Sequence, residues 1–480
     1  MTTRVRSAAP TLTLLDAMED PGLFAPWFTP PASWRAWRVF LAALLGLPLS
    51  GDQAALYREH TGRQALPDAP AREAWLVVGR RGGKSRIAAL VAVYLACFRD
   101  YRSLLAPGER ATVMLLAADR RQARTVFRYI EGLLDGVPLL APLVERRTRE
   151  ALYLTNRIVL EVHTASFRAV RGYTVVGCVA DEIAFWRSED SANPDTEILT
   201  GLRPGMATIP GALLLCISSP YARRGALWEA YRQHYGRGGD PVLVWQADTR
   251  TMNPTVDPRV IDAAYETDTA SAAAEYGAEF RRDIESFVAR EALDAVVMPG
   301  RRELPPVAGV PYVAFVDPSG GSQDSMTLAL AHHAEGRAVL DLVRERQPPF
   351  SPEAVVEEWA ALLRGYGVST VHGDRYGGEW PRERFRTHGL LYEVAERAKS
   401  DLYRDLLPLL NSGRVELLDL PRLLAQLGSL ERRTARGGRD TIDHGPGGRD
   451  DVANAAAGAL VSPNSEKRGI LDRSSAEFWT

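Results

Sequence analysis

Cysteine is scarce: Cys97, Cys178 and Cys216 each stand alone inside an apolar stretch. Neither a disulfide framework nor a thiolate metal cluster fits that spacing, and isolated apolar thiols suit a reducing cytoplasm. Long apolar runs are also lacking. The longest, Ile87 to Phe98, is about half of the roughly 20 residues that cross a bilayer. The first thirty residues hold Asp16, Glu19 and Asp20 without an apolar core and cleavage site, so neither a membrane nor a secreted protein is expected. An excess of one charge is missing too: 58 basic against 60 acidic residues gives a formal charge of -2. That excludes coating nucleic acid by bulk charge and confines any DNA contact to a local patch. Lysine is nearly absent, with only Lys84, Lys399 and Lys467 among the 58 basic residues, so a lysine in a glycine-rich turn stands out.

What is present is ample core material. With 46% hydrophobic and 25% charged residues over 480 positions, a folded chain of two or three domains is expected. Residues 1–70 read as helices and loops, with Pro21, Pro26, Pro30, Pro31, Trp27, Trp34 and Trp37 and an apolar segment Val39 to Leu47, and no chemistry is assigned there. From Trp75 onward, the short apolar runs Trp75–Val78, Thr112–Ala117, Val175–Ala180 and Ala212–Ile217 alternate with helical stretches, the pattern of a parallel sheet covered on both faces. The fold class read here is α/β. Residues 1–255 are taken as a first domain, 256–308 as a linker or helical subdomain, 309–462 as a second domain and 463–480 as a flexible tail. The second domain opens with Tyr312–Val316, Met326–His332 and Arg337–Val343, an antiparallel meander, followed by strands Thr370–Gly373, Leu391–Val394 and Val415–Leu418 among helices.

Gly79, Arg80, Arg81, Gly82, Gly83, Lys84 and Ser85 follow a buried strand and open an apolar helix. Successive backbone N–H groups at a helix N-terminus cradle phosphates, the lysine reaches the β/γ-phosphates, and the serine hydroxyl holds Mg²⁺. Val78 stands where the general pattern wants glycine, and a plain glycine-rich turn is the alternative. A second feature weighs against that alternative: Val175 to Ala180 delivers Asp181 and Glu182 to the carboxyl end of a buried strand. There Asp181 can orient the Mg²⁺ shell and Glu182 can polarise the attacking water. A third apolar strand ends at Ser218-Ser219-Pro220, small hydroxyls placed to sense the γ-phosphate.

A second acidic set lies downstream. Asp317 follows the first meander strand, Asp374 ends Thr370–Gly373, and Asp450-Asp451 begin the last helix. Carboxylates that converge from strand ends and a helix N-terminus repel unless cations sit between them, so Asp317, Asp374, Asp450 and Asp451 are expected to ligate two Mg²⁺ or Mn²⁺ ions and to cleave phosphodiesters, with Asp317, Asp374 and Asp450 as catalytic carboxylates. Asp324 and Asp341 are nearby candidates, and His372 and His444 could support the ligands. Arg375 and the arginines of 432–439 are candidates for phosphate contact.

Together these motifs resemble the large terminase subunit of tailed bacteriophages, over about residues 55 to 462. Gly79 to Ser85 resembles that family's arginine-rich P-loop, Val179-Ala180-Asp181-Glu182 its catalytic strand, and Ser218-Ser219-Pro220 its coupling motif. Asp317-Pro318-Ser319-Gly320, Gly373-Asp374-Arg375-Tyr376-Gly377 and Asp450-Asp451-Val452-Ala453-Asn454-Ala455 resemble its nuclease motifs. The resemblance implies a RecA-like P-loop ATPase domain joined to an RNase H-like nuclease. It implies ATP and Mg²⁺ as cofactors, with Mn²⁺ an alternative at the nuclease site. The implied partners are double-stranded DNA, the portal of a procapsid and a small terminase subunit. A homo-oligomeric ring, a pentamer, is implied during packaging, in the bacterial host cytoplasm and away from membrane. It further implies an arginine acting on a neighbour's ATP, for which Arg171 is the candidate; a surface arginine or a DNA-phosphate contact are the other readings, and Arg80 or Arg81 could serve the P-loop instead. Tyr57 and Gln64 fall in the family's adenine-contacting region without a firm match. A helicase- or transposase-like enzyme, or a structural portal adaptor, are the competing functions.

Overall fold

Eight short runs in the first half satisfy the alternation that a sheet buried on both faces demands. In the first of them, β1 (Glu73–Val78), Ala74, Leu76 and Val78 point into one apolar cluster and Trp75 and Val77 into another. The others are β2 (Ala111–Ala117), β3 (Val144–Arg147), β4 (Ala151–Leu154), β5 (Ile158–Thr164), β6 (Thr174–Asp181), β7 (Leu213–Ser218) and β8 (Val242–Ala247). The computed structural model describes residues 12–166, 169–186, 194–374, 380–434, 440–445 and 448–462. The chain divides into two compact units at Arg282/Asp283, so the segment 256–308 is shared between them. No described helix is long and apolar enough to cross a membrane.

The sheet of the first unit has the order β3-β4-β5-β2-β6-β7-β1-β8. From β5 to β8 every pairing is parallel, and only the β3-β4-β5 edge is antiparallel. This is the RecA-like arrangement. The turns after β6, β7 and β1 emerge side by side at one sheet edge, with β7 between the other two. Helix Lys84–Phe98 is apolar on nearly every side and packs in the same cluster as helix Arg120–Gly136 and helix Arg35–Leu44. The N-terminal segment therefore folds into the core of this unit, where Trp37 and Phe40 are wholly buried.

The second unit comprises β9 (Ile284–Ser286), β10 (Val297–Met298), β11 (Tyr312–Asp317), β12 (Met326–Ala334), β13 (Arg337–Arg346), β14 (Thr370–Gly373), β15 (Leu391–Val394), β16 (Val415–Leu418), β17 (Leu430–Thr434) and β18 (Asp440–His444). Seven of these form a mixed sheet in the order β10-β16-β13-β12-β11-β14-β15, with β11-β12-β13 antiparallel and the remaining pairings parallel. This is the RNase H-like order. Leu328 and Leu330 face the cluster under helix Pro352–Gly365, while Ala329 and Ala331 face helices Lys399–Asn411 and Asp451–Val461. Helix Asp451–Val461 lies so close to β11 that a Cβ at Gly458 would sit 2.2 Å from the Phe315 ring. Between β16 and this helix the chain adds helix Pro421–Ser429 and the β17–β18 hairpin, which pairs with β9. Both are missed in the sequence because the hairpin strands are charged and half-exposed and carry no clean period of 2.

Candidate functional site

Between β1 and helix Lys84–Phe98 the backbone turns through left-handed conformations at Arg81 (φ 64°) and Gly83 (φ 96°). The first is strained for a residue with a side chain. A Cβ at Gly79 would lie 2.3 Å from Thr249 Oγ1, and one at Gly82 would lie 2.7 Å from Val78 Cγ1, so both positions require glycine. Val78, the departure from the general pattern, is the last residue of the buried strand. Thr249 Oγ1 donates to Arg80 O, Asn253 Nδ2 to Arg81 O and Trp37 Nε1 to Gly82 O, each at 2.8 Å. A phosphate cradle needs N–H groups, and these bonds engage the carbonyls that would otherwise oppose an anion. Arg80 turns outward to an ion pair with Glu275 at 3.2 Å.

Lys84 is buried, and its ammonium donates to Val78 O at 2.8 Å, Gly79 O at 3.2 Å and Ser219 Oγ at 3.0 Å. It lies 3.7 Å from Glu182. Burial lowers its pKa, opposed by Glu182 and Asp181. Glu182 follows the end of β6 in a left-handed conformation (φ 50°). Its Oε2 accepts from Ser218 Oγ at 3.1 Å and from Ser219 N at 3.2 Å. Asp181 is pushed up to about 7, chiefly by burial and then by neighbouring Glu182. Lys84, Glu182, Asp181, Ser218 and Ser219 thus meet where β1, β6 and β7 end, as their places in the parallel sheet require. A cavity of about 440 Å³ opens beside them, lined by Arg80 to Arg86, Glu182, Tyr129, Asn253 and the N-terminal Thr29, Ser33 and Trp34. Ser85 is on its wall. Arg171 is exposed on the turn between β5 and β6 and is not among the lining residues. Tyr57 is buried in the core, and neither it nor Gln64 lines the cavity.

No chemistry was expected of residues 1–70, and that expectation fails: Trp37 holds the P-loop, and Arg86 lies 4.9 Å over the Trp34 ring. The available signal was the Trp27, Trp34 and Trp37 cluster, indoles whose N–H needs a partner when buried.

In the second unit, the parallel register Val316↔Gly373 places Asp317 and Asp374 as neighbours at one sheet end. Asp450 is the N-cap of helix Asp451–Val461, and Asp451 is its first residue. These four carboxylates converge. Asn454, wholly buried one turn into the helix, donates from Nδ2 to Asp317 Oδ2 at 2.9 Å and to Asp374 Oδ2 at 2.5 Å. Burial raises the pKa of Asp317 well above the carboxylate range, with Asp374, Asp451 and Asp450 adding repulsion, and burial likewise raises Asp374. Asp451 is pushed up to about 6 by burial and by Asp450, and its Oδ2 is buried with no hydrogen-bond partner among the described residues.

Asp450 differs. Its Oδ2 accepts from Tyr403 OH at 2.8 Å and lies 3.0 Å from the Lys399 ammonium, which also donates to Asp443 Oδ1 at 2.8 Å. Burial opposes the charge on Lys399, but Asp450 and Asp443 hold it protonated above its ordinary range. Asp443, His444 and Asp450 have metal-ligand spacing, and the ammonium of Lys399 already serves two of the three. Asn454, Lys399, Tyr403 and Asp443 carried no sequence signal of their own.

Asp341 does not join this group: it pairs with His332 at 2.7 Å, toward the Tyr312 end of the meander, because the antiparallel register sets His332 opposite Tyr312 and Thr327 opposite Asp317. Asp324 adds repulsion at Asp451. His444 Nδ1 lies 2.9 Å from Gly445 O, and His372 Nδ1 lies 3.6 Å from Glu393. Arg375, Tyr376, Gly377, Arg436 and Arg439 lie outside the described residues, while Arg432 and Arg433 pair with Asp440 and Glu431 at 3.0 and 3.2 Å.

No protein-family model and no curated protein matches the sequence. Among solved structures, the chain is similar to the HK97 bacteriophage large terminase, at 16% identity and a TM-score of 0.37 over 88% of this chain and 99% of that one. It is also similar to the full-length large terminase of a thermophilic bacteriophage, at 12% identity and a TM-score of 0.39 over 89% and 98%. A third similarity is to the large terminase nuclease of the thermophilic phage G20c with bound magnesium, at 19% identity and a TM-score of 0.32 over 35% and 94%.

Proposed function

We propose that this chain is a viral DNA-packaging motor subunit, hydrolysing ATP to translocate double-stranded DNA into a procapsid and cutting concatemeric DNA with a metal-dependent endonuclease. The observation that carries the reading is the presence, on one chain, of two built sites: a lysine-bearing phosphate loop joined to a strand-end Asp-Glu pair, and a buried four-carboxylate cluster at the end of an RNase H-like sheet. The order of these motifs supports packaging in particular. On this reading the working partners are duplex DNA, the portal of the procapsid, a small terminase subunit and further copies of this chain in a pentameric ring in the host cytoplasm.

In the first site, the N–H groups around Gly83 bind the β-phosphate, and Lys84 leaves the loop carbonyls for the β/γ-phosphate oxygens. Ser85 and Asp181 hold the Mg²⁺ that accompanies ATP. Glu182, fixed by Ser218 and the Ser219 N–H, aligns the attacking water and takes its proton. Arg171 acts from a neighbouring copy on the charge that spreads over the γ-phosphate. Ser219 touches both Lys84 and Glu182, so it reports the phosphate's arrival to the end of β7.

The second site fits a divalent metal by its donor set: hard carboxylate oxygens, with an orphaned buried Oδ2 on Asp451. Asp317, Asp374 and Asp451 would hold one or two such ions, while Asp450 is bound up by Lys399 and Tyr403 and fixes the helix end. Bound metal supplies water activation and charge stabilisation at the leaving 3′-oxygen. The protein's own part is to keep Asp317 and Asp374 in register through β11 and β14 and to anchor the helix start, where Thr327 Oγ1 donates to Asp451 O at 2.7 Å and Ala453 N donates to Gln426 Oε1 at 2.9 Å.

The test is a paired assay of ATP hydrolysis and plasmid cleavage on one purified preparation, with Mg²⁺ and with Mn²⁺. Both activities are expected. Strand unwinding, or strand transfer into a target duplex, in place of cleavage would redirect the assignment to a helicase or transposase.

A further inference from the structure

Asn454 is an anomaly in its helix. Its neighbours Ala453, Ala455, Ala456, Ala457 and Ala459 are all buried small residues, and Asn454 is as buried as they are. A polar side chain at such a position is costly unless its hydrogen bonds are made. Here the pairing is one-sided: Nδ2 gives its two N–H groups to Asp317 Oδ2 and Asp374 Oδ2, while Oδ1 has no partner among the described residues.

Each alternative residue would behave differently. An aspartate would add a further negative group to a cluster whose members already hold raised pKa values. An apolar residue would leave the Asp317 and Asp374 oxygens facing each other undamped. The carboxamide instead presents two positively polarised hydrogens to two carboxylates at no net charge, which is electrostatically what a bridging cation does, on a smaller scale.

Resting on the nuclease reading above, we infer that Asn454 is a built-in competitor for the metal position: its carboxamide and a divalent cation need the same two inner oxygens, so every binding event must displace it. Both cannot be accommodated, because the N–H hydrogens would point at the cation from hydrogen-bond distance. Hydrogen bonds to charged partners are among the stronger ones, and giving up even one is enough to weaken metal binding about tenfold. The consequence is a site held in shape by Asn454 and loaded only when metal is plentiful.

The experiment measures Mn²⁺ binding to the full chain, without nucleotide, by EPR counting of free Mn²⁺ and by calorimetry. Wild type is compared with Asn454→Ala and Asn454→Leu, and Asp374→Ala gives the background from other Mn²⁺ sites. Expected are a lower melting temperature for the EDTA-treated variants and an Mn²⁺ Kd at least tenfold lower than wild type in whichever variant folds. Equal or weaker Mn²⁺ binding in a folded variant would overturn the inference and make Asn454 either a bystander or a ligand through Oδ1. A measurement on wild type does not depend on the variants: with selective ¹⁵N-asparagine labelling, the carboxamide signal of Asn454 is expected to move as Mg²⁺ is added. Its constancy at saturating Mg²⁺ would equally overturn the inference. If wild type binds no more Mn²⁺ than Asp374→Ala does, the metal-site reading itself falls, and the inference with it.

Discussion

Replacing Lys84 by alanine removes the one ammonium that touches both the phosphate loop and the strand-end carboxylates. Its distance to Glu182, 3.7 Å, gauges how close it comes to an anion at this site. Two unit charges about 4 Å apart in a medium of effective dielectric about 20 interact by roughly 4 kcal/mol. At about 1.4 kcal/mol per decade of rate, that is about a thousandfold in turnover if most of the interaction is realised in the transition state. Folding should suffer less: Val78 O, Gly79 O and Ser219 Oγ lose a donor, roughly 1–3 kcal/mol, and relief from burying an ammonium offsets part of it. The assay is single-turnover ATP hydrolysis with Mg²⁺, plasmid cleavage with Mn²⁺ and a melting curve, all on the same protein. Hydrolysis should fall about a thousandfold while cleavage stays near wild type. Asp374→Ala should show the reverse, with cleavage down by orders of magnitude and hydrolysis retained. A folded Lys84→Ala protein that lost cleavage as completely as Asp374→Ala, or that hydrolysed ATP within tenfold of wild type, would refute the two-site assignment.

Three further outcomes are expected. Asp451→Asn should weaken Mn²⁺ binding at least tenfold and, because burial holds that carboxyl up to about 6, raise the melting temperature of EDTA-treated protein at pH 8; Asp450→Asn should lower that melting temperature and change Mn²⁺ affinity little, and calorimetry showing the opposite ranking would exchange their roles. Arg171→Ala should bind ATP without turning it over and recover activity when mixed with Glu182→Ala, since a mixed ring restores interfaces with both groups intact; no recovery at any ratio, with assembly confirmed by light scattering, would remove Arg171 from the site. Burial lowers the pKa of His60 below its ordinary 6.5, so the unfolded chain binds the extra proton first and stability is lost as pH falls through that range; His60→Gln should flatten the fall in melting temperature between pH 7 and pH 5, and an unchanged slope would count against it.

How much of this was legible follows from where each partner lies in the chain. Gly79 to Ser85 could be read because tight turns demand glycine locally, and Asp181-Glu182 because a buried apolar strand announces its own end. The β11-β12-β13 meander was equally local, its strands joined by short glycine turns. Asp317, Asp374 and Asp450-Asp451 needed one further step, the strand order that brings their ends together. The bond from Trp37 to the carbonyl of Gly82, and that from Tyr403 to Asp450, join positions that no local pattern relates. Asn454 lay inside a recognised motif, yet only the placement of β11 and β14 beside its helix shows what it holds. Which of Asp450 and Asp451 is engaged by protein donors was likewise invisible, because adjacent residues at a helix start point in different directions.

Both sites meet the same physical difficulty, several carboxylates drawn together in a place that water hardly reaches, and both use lysine to manage it. Lys84 stands against Glu182, and Lys399 stands between Asp443 and Asp450. Arginine outnumbers lysine heavily here, since only 3 of the 58 basic residues are lysine, yet the two lysines within the described residues are the ones in these positions. The choice follows from shape: guanidinium is a broad planar fork that favours side-on pairing with one carboxylate, whereas ammonium is a compact centre with three donors that can serve oxygens from several directions. Lys84 reaches two loop carbonyls and a hydroxyl at once, and Lys399 reaches two separate carboxylates. An arginine at either place would need more room than these cages give. Lys399→Arg should therefore lower the melting temperature nearly as much as Lys399→Ala does, although the charge is conserved, and a melting curve for Lys399→Arg that overlays wild type would refute the argument from shape.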